Sequence, residues 1–151
     1  MASVHDVAAA ILARTGRVPT AKLQKLVYYA KAWHTVWAGE ELFPEGIEAW
    51  AGGPACPALY EVYRGNFAVS SWPRGNPGNL SQGEAETVDA VVSSYGQMDE
   101  HVLSTLVRSE APWRDARRGV PPLERGHEEI DLGSMVHYYS AVEDDESLVA
   151  I

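Results

Sequence analysis

From Thr20 to Ala38, apolar side chains recur at Leu23, Leu26, Val27, Ala30, Trp33 and Trp37, a spacing of three and four that lines one face of an α-helix. Thr20, directly after Pro19, stands where an N-cap accepts a backbone N–H, and Gly39 stands where a left-handed residue closes a helix. The pattern predicts a helix over 20–38 with that face buried. Lys22, Lys25 and Lys31 fall on the opposite face, and Tyr28 and Tyr29 lie beside the seam. Next, Leu42-Phe43 and Ile47–Trp50 read as two extended pieces around Pro44-Glu45-Gly46, a small hairpin near 42–50. Gly52-Gly53-Pro54-Ala55-Cys56-Pro57 is an elbow, in which Pro54 or Pro57 is placed to start a helix that carries Leu59, Tyr60, Val62 and Tyr63. Residues 20–64 hold four of the seven tyrosines and three of the five tryptophans, so the rest of the chain is organised around this stretch.

Before it, Val4, Val7, Ala8 and Ile11 have helical spacing, with Ser3 and Asp6 as a capping-box variant and Gly16 near the end. The short link to the next helix favours antiparallel or steeply crossed packing. Residues 65–80, rich in Gly, Asn, Pro and Ser and without periodicity, read as an exposed loop anchored by Trp72. A helix follows over 81–95, opened by Ser81 and Glu84 and turning Val88, Val91, Val92 and Tyr95 inward. Another starts at Gln97 or Asp99 and directs Val102, Leu103, Leu106 and Val107 to the core. Pro112-Trp113 marks a short helix, Pro121-Pro122 and Gly126 a loop, and Ile130–Leu132 an extended piece or a helix entry. The last helix is predicted over 133–142. The tail from 143, four acids followed by an apolar end, is expected to be mobile, or to lay Leu148-Val149 on a partner if ordered.

Charge narrows the function. The net charge is −9, a poor basis for gripping a phosphate backbone, and a basic partner protein suits it better. A helix-turn-helix reading of the first two helices is disfavoured, since the second puts tryptophans and tyrosines where base-reading side chains belong. The basic residues of the second half are Arg108, Arg114, Arg117, Arg118 and Arg125. They form either a docking patch for an acidic or phosphorylated partner or a face neutralised by Glu110, Asp115 and Glu124. The length fits one domain, taken as residues 1–142 plus the tail. No apolar run is long enough to span a bilayer, the first residues lack the basic region, apolar core and small-residue cleavage site of a signal peptide, and a lone cysteine agrees with a reducing compartment. The cytoplasm is the expected location.

Positive signs of catalysis are lacking. The five histidines show no metal-ligand spacing, and no phosphate loop, dinucleotide fingerprint or serine elbow occurs. No metal or cofactor is expected. Cys56 reads as a small buried apolar residue unless a pocket joins it to a histidine. What remains is an interaction module with aromatic anchors, Trp50, Tyr60, Trp72 and Trp113, each of which could instead fill the core.

LQKLVYYA at 23–30, ELF, IEAW, the GGPACP elbow, LYEVYR at 59–64 and the later Pro112-Trp113 step occur in an order and spacing that resemble the Panacea domain, also called the SocA-like antitoxin domain. The resemblance covers roughly 18–139. It implies a mainly α domain acting as the antitoxin of a bacterial or prophage toxin–antitoxin pair, which neutralises a cognate toxin directly or hands it to a protease. Toxins of the alarmone-synthetase type are among the partners it implies. Where the family pattern has a histidine shortly before the proline–tryptophan step, this chain has Arg108. The expected partner-binding residues are therefore Trp50, Gly53, Pro54, Tyr60, Trp72, Arg108, Trp113, Arg114 and Arg117. An operon-regulating DNA binder and a small hydrolase or transferase using Cys56 and a histidine are the alternatives.

Overall fold

The helical periodicity around Ala30 becomes the centre of the molecule. The computed structural model describes residues 1–150, with side chains through residue 145. Among these, the helices are α1 (Val4–Thr15), α2 (Thr20–Ala38), α3 (Pro57–Tyr63), α4 (Gln82–Tyr95), α5 (Glu100–Ser109), α6 (Ala111–Ala116) and α7 (Leu132–Ala150). Two small antiparallel pairs complete them, β1 (Val18–Pro19) with β4 (Ala68–Val69) and β2 (Glu48–Trp50) with β3 (Gly53–Ala55). The chain is mainly α, as its periodicity predicts.

Helix α2 is packed by α1, α4, α5, α7 and β3, and every residue from Leu23 to His34 is buried. Burial therefore extends beyond the predicted apolar face to the side that carries the lysines. Lys25 and Lys31 lie within the core, and only their ammonium ends find polar partners, as long cationic side chains do when they snorkel. Lys25 Nζ donates to Glu100 Oε1 at 2.9 Å, and Lys31 Nζ donates to the Glu45 carbonyl at 2.6 Å, with Glu41 Oε1 at 3.7 Å. Trp37, expected inside, is 45% exposed, with its indole N–H turned to Glu143 of α7. Gly39 closes the helix at φ 74° as predicted. Thr20 does not cap it: Thr20 is its first residue, and the hydroxyl lies within bonding distance of the Asn66 and Phe67 carbonyls, fastening the loop beside β4.

The capping boxes at Ser3/Asp6 and Ser81/Glu84 are present as predicted, and Asp99 caps α5. Asp6 has a second task. Its Oδ1 accepts from the Asn76 backbone N–H and the Asn79 amide. Burial pushes the Asp6 carboxyl up, but these bonds and those from Ser3 outweigh it and hold the group below its ordinary range. The loop 70–79 is thereby pressed onto the start of α1, where Trp72 is buried and donates to His5 Nδ1 at 3.1 Å. A Cβ at Gly75 would overlap the His5 carbonyl, so glycine is required there. In α5, Leu103 and Val107 face inward while Val102 is 49% exposed, against expectation.

The hairpin is displaced from its predicted pairing. Its arms are β2 and β3, with Trp50 opposite Gly53 across Ala51-Gly52, and Leu42-Phe43 is a buried plug outside it. Pro54 is a strand residue, and Pro57 opens α3. Residues 128–130 run alongside β2, with Ala49 N–H donating to Glu128 O and Ile130 N–H to Ile47 O, so the piece at 130 is extended. Helix α7 continues past the predicted end at 142 to Ala150, taking in the acidic run. The suggested Leu148-Val149 contact and Ile151 lie outside the described side chains.

A polar knot sits in the aromatic core. Glu110 Oε1 accepts from Tyr29 Oη at 2.7 Å and Tyr139 Oη at 2.8 Å. The Tyr139 hydroxyl hydrogen is engaged with Glu110, so Tyr28 donates to Tyr139 across 3.0 Å. Burial raises the Glu110 carboxyl above its ordinary range, against the lowering effect of the two hydroxyl bonds.

His34 is also buried, with Nδ1 at 2.8 Å from Thr87 Oγ1, and Thr87 bonds back to the Gly83 carbonyl, so the ring N–H is the donor. Burial lowers its affinity for a proton, although Glu84 and Glu40 oppose this. Above pH 6.5 the ring is neutral in both folded and unfolded chains. As pH falls below 6.5, the unfolded chain takes up a proton that the folded chain resists, and stability drops by up to about 1.4 kcal/mol per pH unit. Melting curves at pH 7.5 and 5.5 should show a smaller loss for His34→Asn, which keeps a donor toward Thr87, than for the unaltered protein.

Candidate functional site

The hairpin, the start of α3, and the segment after α6 meet in a ledge of aromatic rings and arginines. Its geometry begins at the elbow. The Gln24 amide donates to Cys56 O at 3.1 Å and accepts from Cys56 N–H at 2.7 Å, clamping the elbow to α2 much as a paired strand would. Gly53 adopts φ 141°, and a Cβ there would lie 3.0 Å from Lys25 Cε, so the hairpin can lie this close to α2 only with glycine at that position.

On this support Trp50 is held from several sides. Its indole N–H donates to Glu48 Oε1 at 2.8 Å, its carbonyl accepts from Trp113 Nε1 at 2.7 Å, and Tyr60 meets it edge-on at 5.2 Å between centroids. The Arg125 guanidinium lies 4.6 Å from the Trp50 ring and 4.8 Å from the Tyr60 ring, and donates to Tyr60 Oη at 3.2 Å. An arginine over two rings fixes all three groups at low entropy cost on binding. Trp50, Tyr60 and Trp113 are each half-buried, with one side in the protein and one in solvent.

Arg117 builds the rear of the ledge. Its guanidinium donates to the carbonyls of Ala49, Arg125, Pro121, Pro122 and Glu124, at 2.7 to 3.4 Å. These bonds wrap the 118–126 segment around one buried cation and tie it to β2. Gly126, at φ 79°, leaves room for this, because a Cβ would lie 2.7 Å from Arg117 Nη1.

The arginines expected to act together therefore do different work. Arg117 is buried and structural. Arg114 and Arg118 are exposed and share Asp115, each at 3.3 Å. Arg108 is exposed, donates to Ser104 O of its own helix, and has no carboxylate partner among the described residues. Glu110, offered as a neutralising partner, belongs to the tyrosine knot instead. The ledge thus brings together Trp50, Tyr60 and Trp113, while Arg114 is exposed on α6 beside Asp115 and Arg108 is exposed on α5, whose Ser104 hydroxyl donates to Gly52 O. Gly53, Pro54 and Arg117 are buried and support the ledge from behind, and Trp72 lies elsewhere, against α1. Sequence reasoning missed Arg125 as a stacking partner and Glu110 as the acceptor of the core. The crowd of tyrosines needing hydroxyl partners was a signal for Glu110.

A cleft of ≈ 350 Å³ is lined by Cys56 and His127 together with Glu45, Glu48 and Glu129. It is the kind of juxtaposition that a thiol enzyme would need. However, Cys56 is fully buried and burial raises its thiol above the usual range, which disfavours the reactive thiolate. Among the described residues no cluster of His, Cys, Asp and Glu could hold a metal ion, and no helix is long and apolar enough to cross a membrane.

Compared with known families, residues 23–114 match the family model described as antitoxin SocA-like, Panacea domain. That span carries α2, the elbow, Trp50, Tyr60, Arg108, Trp113 and Arg114. No curated protein and no solved structure matches the chain.

Proposed function

We propose that this chain, which belongs to the SocA-like antitoxin (Panacea domain) family, neutralises a toxin protein by binding it directly through the ledge. The family is not a known enzyme family, and the reading here is of a non-enzymatic binding module. The observation that carries it is the locked triad of Trp50, Tyr60 and Arg125 at 4.6 to 5.2 Å, half-open to solvent, with Trp50 and Tyr60 on the family-matched hairpin and α3. Rigid aromatic and arginine anchors dominate binding energy where they occur at interfaces, because little freedom is lost when they are covered. Arg125 stands exposed within the triad, so the toxin surface facing it carries carboxylates, while the acidic remainder of the chain repels wrong orientations.

In this reading the protein works in the cytoplasm, as half of a bacterial or prophage toxin–antitoxin pair. Its partner is the protein encoded beside it, with alarmone-synthetase-like toxins as one class. Neutralisation follows from occluding the toxin's active site. The test is to express the neighbouring protein alone and with this chain. Growth arrest by the neighbour, rescue by this chain, and elution of both as a stoichiometric complex are expected. Rescue should fail for Trp50→Ala combined with Arg125→Ala. Rescue accompanied by disappearance of the toxin would instead indicate delivery to a protease, and a harmless neighbour that does not co-elute would remove the proposal.

A further inference from the structure

A second cavity, of ≈ 390 Å³, opens between α2, α4, α5 and α7, away from the hairpin ledge. Its walls include Trp33 and Trp37 of α2, Tyr95 of α4 and Leu106 of α5, with Glu110 and Glu143 as its carboxylates. The two indoles stack at 5.3 Å between centroids, 26° apart. Their N–H groups are already engaged: Trp33 Nε1 donates to Tyr95 Oη at 2.9 Å, and Trp37 Nε1 donates to Glu143 Oε1 at 2.9 Å. What these rings offer a guest is therefore π surface rather than hydrogen bonds.

Glu110 is the unusual member. The residue is 8% exposed, and both hydroxyls bonded to it end on Oε1. Oε2 receives no hydrogen bond among the described residues. No fully enclosed side-chain oxygen among them lacks a partner, so Oε2 is open to solvent, and the cavity that Glu110 lines gives it that opening. A nine-tenths-buried carboxylate thus keeps one oxygen unpaired at an aromatic-walled cavity. No lysine, arginine or histidine among the described residues lines this space. The combination selects by charge. An anion meets two carboxylates and no cation; a neutral apolar guest leaves Glu110 Oε2 unpaired; a cation with an apolar body satisfies the carboxylate and the ring faces together.

We propose that this cavity binds an organic ammonium group carried on an apolar body, with Glu110 as its counter-ion and Trp33, Trp37 and Tyr95 as its walls. The site shares no lining residue with the triad of Trp50, Tyr60 and Arg125, and the proposal does not rest on toxin binding. A free amine and the lysine side chain of another protein share this chemistry.

The test uses the full chain and isothermal titration with phenethylammonium, alongside phenethyl alcohol and phenylacetate as neutral and anionic isosteres. N-acetyl-lysine amide is titrated separately. The expected result is binding of phenethylammonium in preference to both isosteres, weakened about tenfold or more by Glu110→Gln and also weakened by Trp37→Leu. Gln keeps an oxygen for the two tyrosines, and Trp37 lies at the open rim, so both variants should remain folded and melt cooperatively at the pH of the titration. Binding of N-acetyl-lysine amide as well would support a protein lysine as the source, and binding of phenethylammonium alone a free amine. Equal binding of the three isosteres, no binding of any ammonium at millimolar concentration, or ammonium affinity unchanged in both variants would overturn the proposal.

Discussion

Glu110→Ala should lower the free energy of unfolding by about 3–5 kcal/mol, the largest effect expected from any single polar residue of the core. Truncation removes the acceptor of Tyr29 and Tyr139 together, at 2.7 and 2.8 Å. Tyr139 can turn its proton toward Tyr28, but Tyr29 is fully buried and stacked on Tyr95 at 3.9 Å, with no second acceptor for its hydroxyl among the described residues. An orphaned buried hydroxyl costs about 1–3 kcal/mol, and the lost side-chain volume adds a cavity term. Glu110→Gln should recover most of the loss, since an amide oxygen accepts both hydroxyls. The two also separate by pH. Because the folded-state value of Glu110 lies above 4.5, its contribution is full below 4.5 and is lost as pH rises through the folded-state value. Glu110→Gln should erase that decline. Urea unfolding of the three proteins across pH 4.5–8 measures both effects.

Arg117→Ala should cost about 2–4 kcal/mol and release the 118–126 segment from β2. Five carbonyls converge on this guanidinium, and without it they face one another across a buried space. Lysine should not rescue it, because an ammonium lacks the planar fork that reaches carbonyls on two sides. Arg125 is held by the same segment, so the stacking on Trp50 and Tyr60 should loosen as well, and toxin affinity should fall with stability. Arg114→Ala and Arg118→Ala are exposed and share Asp115, so each should change stability by less than about 0.5 kcal/mol. Denaturant unfolding together with the indole N–H resonance of Trp50 distinguishes the two kinds of arginine.

That division of labour was invisible in the sequence. Five arginines within eighteen positions read as one patch, while the fold buries Arg117, stacks Arg125 and leaves Arg108 unpaired with acid. Spacing along a chain fixes which arginines share a helix face, but not which carbonyls a loop brings to them. The helices were far more legible, because their ends carry local chemistry: Ser3 with Asp6, Ser81 with Glu84, Asp99, and Gly39 all act within a few residues of themselves. The hairpin was misplaced because Pro44-Glu45-Gly46 has the composition of a turn. The pairing that is formed is settled by distant partners, with 128–130 along β2 and the Gln24 amide on Cys56. For the same reason the burial of Lys25 and Lys31 on the face opposite the apolar one is not legible in the sequence. A helical period identifies an apolar face, but it does not reveal that neighbours pack around the whole helix.

The most direct test of toxin binding through the ledge is hydrogen exchange of this chain, alone and in complex with the protein encoded beside it. The account predicts slowed exchange in the complex at 48–63 and 108–126, with little change in α1 and in the loop carrying Trp72. Protection confined to α1 and that loop, with the hairpin and α6 exchanging as in the free chain, would contradict it.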